Sequence, residues 1–148
     1  MPDIEPLVER WRALVEDLEL SSVKAWKAAN PRGIAIGSLP VYVPREIVHA
    51  AGGLPVGVVG AGEELEIVRG DACFQSYICH LPRSVTELGM TGRLEVLDGM
   101  LFPSICDVIR NLSGIWKMLF PQKLVRYLDL PQNFDPEIGG AFFRRELE

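Results

Sequence analysis

Val96-Leu97-Asp98-Gly99-Met100-Leu101-Phe102-Pro103-Ser104-Ile105-Cys106-Asp107 decides the fold. Val96 to Phe102 is an almost continuous apolar run, as expected of a strand buried on both faces rather than one. A turn follows, and Asp107 to Phe120 reads as a helix. Strand then helix is the unit of a parallel sheet covered by helices.

The same unit recurs on either side. Ile34 to Gly37 is short, apolar and partly β-branched, so it reads as a buried strand. Ser38 to Pro44 is a loop with two prolines. Pro44 suits the first turn of a helix over Arg45 to Ala51, where its missing N–H is not needed. Glu46 there favours the helix dipole, and Gly52-Gly53 ends the helix. Leu54 to Val59 is a second strand. Asp71 to Leu88 reads as mostly helical, Gly89 to Arg93 as a turn, Leu124 to Leu128 as a fourth strand and Glu137 onward as a final helix. Before all of these, residues 4–29 carry helical spacing. Leu7, Trp11, Leu14, Val15 and Leu18 form one stripe, and Ser21-Ser22 restarts the pattern. Trp26 and Trp116 read as core. The expected fold is α/β: a doubly wound, Rossmann- or flavodoxin-like sheet of about four parallel strands, flanking helices and an N-terminal helical segment. The expected divisions are 1–30, 31–135 and 136–148. Ligands of such sheets bind beyond the carboxyl ends of the strands, here the loops 37–44, 60–66, 103–106 and 129–136.

At 148 residues and 48% apolar content the chain can bury one domain core. Its net charge is −5 and its basic residues are scattered, so nucleic-acid binding has no electrostatic footprint. No apolar run reaches membrane-span length. Met1 to Arg12 is charged and lacks the apolar stretch of a signal peptide. The expected location is the cytoplasm. Three cysteines fit poorly with a closed disulfide set. Phe142 to Glu148 reads as a helix stopping in mid-turn, and Leu147-Glu148 also fits a cloning scar. The chain therefore reads as a piece of a longer protein.

Three features bear on chemistry. Cys106 stands between a strand end and a helix start, where the helix dipole and free N–H groups favour the thiolate. A buried apolar cysteine is the equal alternative. Cys79 lies in Tyr77-Ile78-Cys79-His80-Leu81-Pro82-Arg83, where Pro82 is expected to interrupt any helix. His80 beside it is a candidate proton donor. Cys73 reads as packing, with ligation the minority view. Gly60-Ala61-Gly62 has the look of a phosphate loop but lacks the third glycine and is followed by Glu63, Glu64 and Glu66. No Cys-x-x-Cys is present, so neither a zinc ribbon nor a ferredoxin run is matched.

Val43-Pro44-Arg45-Glu46-Ile47-Val48-His49-Ala50-Ala51-Gly52-Gly53-Leu54-Pro55-Val56 resembles the early signature of the 2-hydroxyacyl-CoA dehydratase and benzoyl-CoA reductase family. Ser76-Tyr77-Ile78-Cys79, Pro82-Arg83-Ser84 and Asp98 to Gly114 continue the resemblance in order, over about residues 30–135. The last stretch is most similar to the benzoyl-CoA reductase branch, to a B-type subunit.

The resemblance implies a 4Fe–4S cluster held by three cysteines, with Cys79 and Cys106 as two of them. The third is expected beyond residue 148, which leaves the cluster absent or incomplete in this chain. It also implies partner subunits, among them an ATPase pair that uses ATP to drive electrons from ferredoxin. The acyl-CoA substrate would be reduced by single electrons in the anaerobic degradation of aromatic compounds. The dehydratase branch would instead expel a hydroxyl group. A non-catalytic assembly domain is the third reading. Ile78, Leu81, Phe102 and Ile105 fit a dry site that protects a radical. Substrate contacts are sought at Ser38, Tyr42 and Glu46, each with a packing or helix-dipole alternative. This chain alone is expected to be inactive.

Overall fold

The computed structural model describes residues 4–148. Residues 1–3, which open the expected 1–30 segment and the charged stretch Met1 to Arg12, lie outside the described residues. The chain runs α1 (Glu5–Glu16), α2 (Ser21–Ala29), β1 (Ala35–Ser38), α3 (Arg45–Ala50), β2 (Leu54–Gly57), α4 (His80–Met90), β3 (Gly99–Pro103), α5 (Asp107–Leu119), β4 (Leu124–Leu128) and α6 (Ala141–Leu147). A 3₁₀ turn over Asp71–Cys73 precedes α4, and a π turn over Pro136–Gly140 leads into α6.

The four strands form one parallel sheet in the order β2-β1-β3-β4. The chain steps from β1 out to β2, then back across to β3 and on to β4. Right-handed crossovers place α3 on one face and α4 and α5 on the other. This is the doubly wound arrangement expected from the apolar runs. β1 is buried along its whole length. The core joins Leu39, Val85, Leu88, Leu97, Met100, Phe102, Leu112 and Trp116, all nearly inaccessible. The Trp116 ring lies 5.8 Å from that of Phe102 and 4.7 Å from that of Phe120. Trp26 is only half-buried.

The amino ends of the strands are tied by one polar knot. Lys27 Nζ donates to both Asp98 oxygens at 2.7 and 2.6 Å, and the Ala35 N–H donates to the same carboxylate at 2.7 Å. Burial alone would raise the Asp98 pKa. The bonds from Lys27 and Ala35, with the charges of Lys27 and Lys123, bring it below its ordinary value. Burial lowers the pKa of Lys123, whose ammonium donates to the carbonyls of Glu95 and Leu97.

Three local expectations are corrected. Residues 74–79 are irregular, so Asp71 to Leu88 is a 3₁₀ turn and a separate helix rather than one mostly helical stretch. Pro82 does not interrupt α4. It stands in the first turn, where no N–H is required, and thereby limits how far the helix extends backward. β3 starts at Gly99, because residues 91–96 are a turn that buries Leu94. The N-terminal stripe forms the helix α1, but none of its residues is buried. Leu14, Val15 and Leu18 instead border an open apolar groove beside β2. In β2, Leu54 N–H donates to Ile34 and Val58 N–H to Ser38. Residues of that parity face β1, so Pro55 has its nitrogen on the outer side.

Candidate functional site

The loops that leave β1 and β3 part in opposite directions at the carboxyl edge of the sheet, and a crevice opens where they part. A cleft of about 710 Å³ lies there. Tyr42, Val43, Pro44 and Glu46 supply one wall, Ser104 the β3 side, and Leu130, Pro131, Gln132, Phe134 and Phe143 the rest. Its size suits a small organic ligand.

The β1 loop is bent to shape that wall. Val41 and Tyr42 have φ of 70° and 63°. Two consecutive left-handed residues with bulky side chains are costly, and such strain concentrates at ligand sites. Both side chains are exposed. Of the expected substrate residues, Tyr42 and Glu46 line the cleft. Ser38 does not: it closes β1 as its last residue and is buried there.

Both candidate thiols cap helices at this same edge. Cys106 is the N-cap of α5, three residues past β3. Cys79 is the N-cap of α4, whose first turn packs on the loop that follows β2. Gly60 there has φ +81°, and a Cβ on it would run into Ser84 Oγ. Both caps are extended, with ψ of 159° and 168°, and neither makes a side-chain bond to its helix. Both thiols are exposed and free. Cys73 is half-buried, with its Sγ 3.8 Å from the Arg69 carbonyl that accepts from it. His80 is exposed, and its charge contributes to lowering the Asp71 pKa. Around the thiols Leu81 packs on the core and Phe102 is buried, whereas Ile105 is exposed. Among the described residues no three His, Cys, Asp or Glu side chains gather into a metal cage.

Each thiol has an arginine one turn further along its helix. Arg83 grips Asp71 through Nε at 2.6 Å and Nη2 at 2.7 Å. That fork, aided by the Arg83 and His80 charges, lowers the Asp71 pKa against its partial burial. Arg110 donates to the Tyr127 hydroxyl at 3.2 Å and lies 5.4 Å from the ring centre, and the bond raises its pKa. Sequence reasoning passed over both arginines, and also Phe134 and Phe143 in the cleft.

The family model described as 2-hydroxyglutaryl-CoA dehydratase, D-component, matches residues 40–148. The chain is 55% identical over 141 residues to the C-type subunit of the benzoyl-CoA reductase of Thauera aromatica, covering 95% of this chain and 36% of the relative. It is 38% identical over 137 residues to the beta subunit of (R)-2-hydroxyglutaryl-CoA dehydratase of Acidaminococcus fermentans, covering 88% and 35%. It is 31% identical over 114 residues to the (R)-phenyllactyl-CoA dehydratase beta subunit of Clostridium sporogenes, covering 77% and 30%. The chain spans about a third of the length of these curated relatives. The matched reductase subunit is of the C type, where the resemblance pointed to the B type. No helix among the described residues is long and apolar enough to cross a membrane.

Proposed function

Because this chain belongs to the 2-hydroxyglutaryl-CoA dehydratase D-component family, we propose that it is the N-terminal domain of an iron–sulfur subunit of an ATP-dependent benzoyl-CoA reductase. The observation that carries this reading is the pair of exposed thiols, Cys79 and Cys106, each capping a helix at the carboxyl edge of one sheet. The identity to a benzoyl-CoA reductase subunit supports that branch.

The donor set fits the group in part. Thiolates are the ligands that suit iron–sulfur clusters, and a helix N-terminus favours the thiolate form. Two such thiols are present, and a third cysteine, from the remainder of the full-length protein, completes the set. Cys73, half-buried near Arg69, is the less suited alternative. When bound, a 4Fe–4S cluster supplies single electrons, delivered from ferredoxin through ATP-hydrolysing partner subunits.

The residues of this chain then have distinct tasks. The first turns of α4 and α5 present Cys79 and Cys106 at the helix starts, where both sulfurs are exposed. Tyr42 and Glu46 bind and orient the acyl-CoA in the cleft, and its apolar walls at Leu130, Pro131 and Phe134 offer contacts to the acyl group. His80, on the helix start beside Cys79, holds a proton for delivery. Ser38, buried in β1, supports the loop that carries Tyr42. The working site is the cytoplasm.

Anaerobic reconstitution of the full-length subunit with iron and sulfide tests the ligand assignment. Cys79→Ala and Cys106→Ala should each lose the cluster by iron content and absorbance, while the stability of the metal-free protein changes by no more than about 0.5 kcal/mol. Retention of a full cluster by either variant would remove that cysteine from the set, and retention by both would favour an assembly domain. The 38% identity to a dehydratase subunit favours radical dehydration as the second reading. The full complex, given reduced ferredoxin and ATP, separates the two: dehydration of a 2-hydroxyacyl-CoA without ring reduction of benzoyl-CoA would replace the first reading by the second.

A further inference from the structure

The approach to Cys79 lacks the support that a strand or helix would give. From Val68 to Ile78 the chain has only turns: the 3₁₀ turn, with Cys73 N–H donating to Gly70 at 3.1 Å, and a second turn closed by Ile78 N–H to Gln75 at 3.1 Å. Two side chains of α4, one turn apart, hold the segment instead. Glu87, buried in the helix, accepts the N–H groups of Val68 at 2.9 Å and Gly70 at 2.7 Å. Arg83 takes both oxygens of Asp71 and extends Nη1 to the Ile78 carbonyl at 3.4 Å.

That last carbonyl explains why an arginine is needed. A helix continued backward through Cys79 would satisfy the Ile78 carbonyl with the N–H of residue 82, but residue 82 is proline and has none. The Arg83 guanidinium takes the place of that donor. It thus ties the start of the loop, Asp71, to its last residue before the thiol, Ile78. The backbones are equally close: a Cβ on Gly70 would run into the Arg83 carbonyl.

We propose that Arg83 is a positioning residue. Its fork closes the 71–78 loop on α4 and thereby fixes the direction in which Cys79 presents its sulfur to a metal. A planar guanidinium holds a carboxylate in both oxygens and reaches a third acceptor, which an ammonium cannot do in the same geometry. This inference rests on the reading of Cys79 as a cluster ligand.

The test uses the full-length subunit with Arg83→Lys, Arg83→Met and the reference variant Cys79→Ala. In the metal-free protein, amide hydrogen exchange over residues 71–79 should be several-fold faster in both Arg83 variants, because the loop opens locally, while residues 99–106 exchange at the wild-type rate. After anaerobic reconstitution, the reduced cluster should show shifted g values in Arg83→Lys and reduced iron content in Arg83→Met. Circular dichroism of the metal-free variants should match wild type. Unchanged exchange together with unchanged spectra in both Arg83 variants would overturn the positioning role, even if Cys79→Ala loses its cluster. A full cluster in Cys79→Ala would instead sink the ligand reading, and the positioning role with it. Equal acceleration in residues 71–79 and 99–106 would mean general loosening and would also overturn the proposal.

Discussion

Cys79 and Cys106 occupy the same kind of position by different means. Cys106 is held by the backbone. Ser104 N–H donates to Leu128 at 2.9 Å, Ile105 N–H to Pro103 at 2.8 Å, and the Ser104 hydroxyl accepts from Leu130 N–H at 2.9 Å. The thiol follows closely on a strand that is paired on both sides. Cys79 is held by side chains, through the two grips of Arg83 and Glu87 on an otherwise irregular loop. A position fixed by a sheet ladder falls only when the fold falls. A position fixed by side chains is lost or tuned by single substitutions that leave the sheet intact.

Three changes bear on that contrast. The largest is Phe102→Ala, which removes a fully buried ring packed on Trp116 one residue before the end of β3. It should cost about 3–5 kcal/mol in denaturant unfolding and quicken hydrogen exchange around Cys79 and Cys106 together; a change confined to the Cys106 side would break the contrast. Next is Glu87→Ala, which leaves the Val68 and Gly70 N–H groups without their acceptor. It should cost roughly 1–3 kcal/mol. Hydrogen exchange should quicken in residues 68–79 and stay unchanged in residues 99–106; spread of the effect into β3 would show that the loop and sheet are one unit. The smallest concerns acid. The Asp71 pKa is lowered in the folded chain, so its grip adds stability above the unfolded pKa and loses it as pH falls through the folded value. Acid should therefore speed exchange around Cys79 before Cys106, and Asp71→Asn should remove this pH dependence. Its persistence in the Asn variant would shift the cause to another group.

The same contrast explains what can be read from the sequence. β3, α5 and Cys106 are legible because a double-faced strand is a continuous apolar run and a helix start must follow it. β4 is legible to its ends, Leu124 and Leu128, although it is an edge strand whose burial alternates and whose apolar run is broken by Arg126. Residues 71–79 pass for helix because their structure comes from Arg83 and Glu87, residues later in the chain, and local periodicity carries no record of such bonds. One signal is available: Cys79 and Cys106 each precede an arginine by four residues, one helical turn. The cleft is half legible. The strand-end rule gives its loops, and with them Tyr42 and Glu46. Phe134 and Phe143 enter from the far side through the turn before α6, which no spacing rule anticipates. Ser38 differs by a single residue of strand boundary, enough to move it from the cleft into the sheet.

Pro55 has a consequence of another kind. A parallel sheet of four strands leaves two open margins, and an exposed margin invites pairing with a strand of another molecule. On β2 the outward nitrogen at Pro55 carries no hydrogen, so an incoming strand would meet a missing donor at the centre of its ladder. On β4 the solvent-exposed Arg126 sets a charge where such a strand would dock. Both margins are thus blunted by one residue each, which discourages fibrous self-association while the sheet itself remains free to carry a site at its carboxyl end.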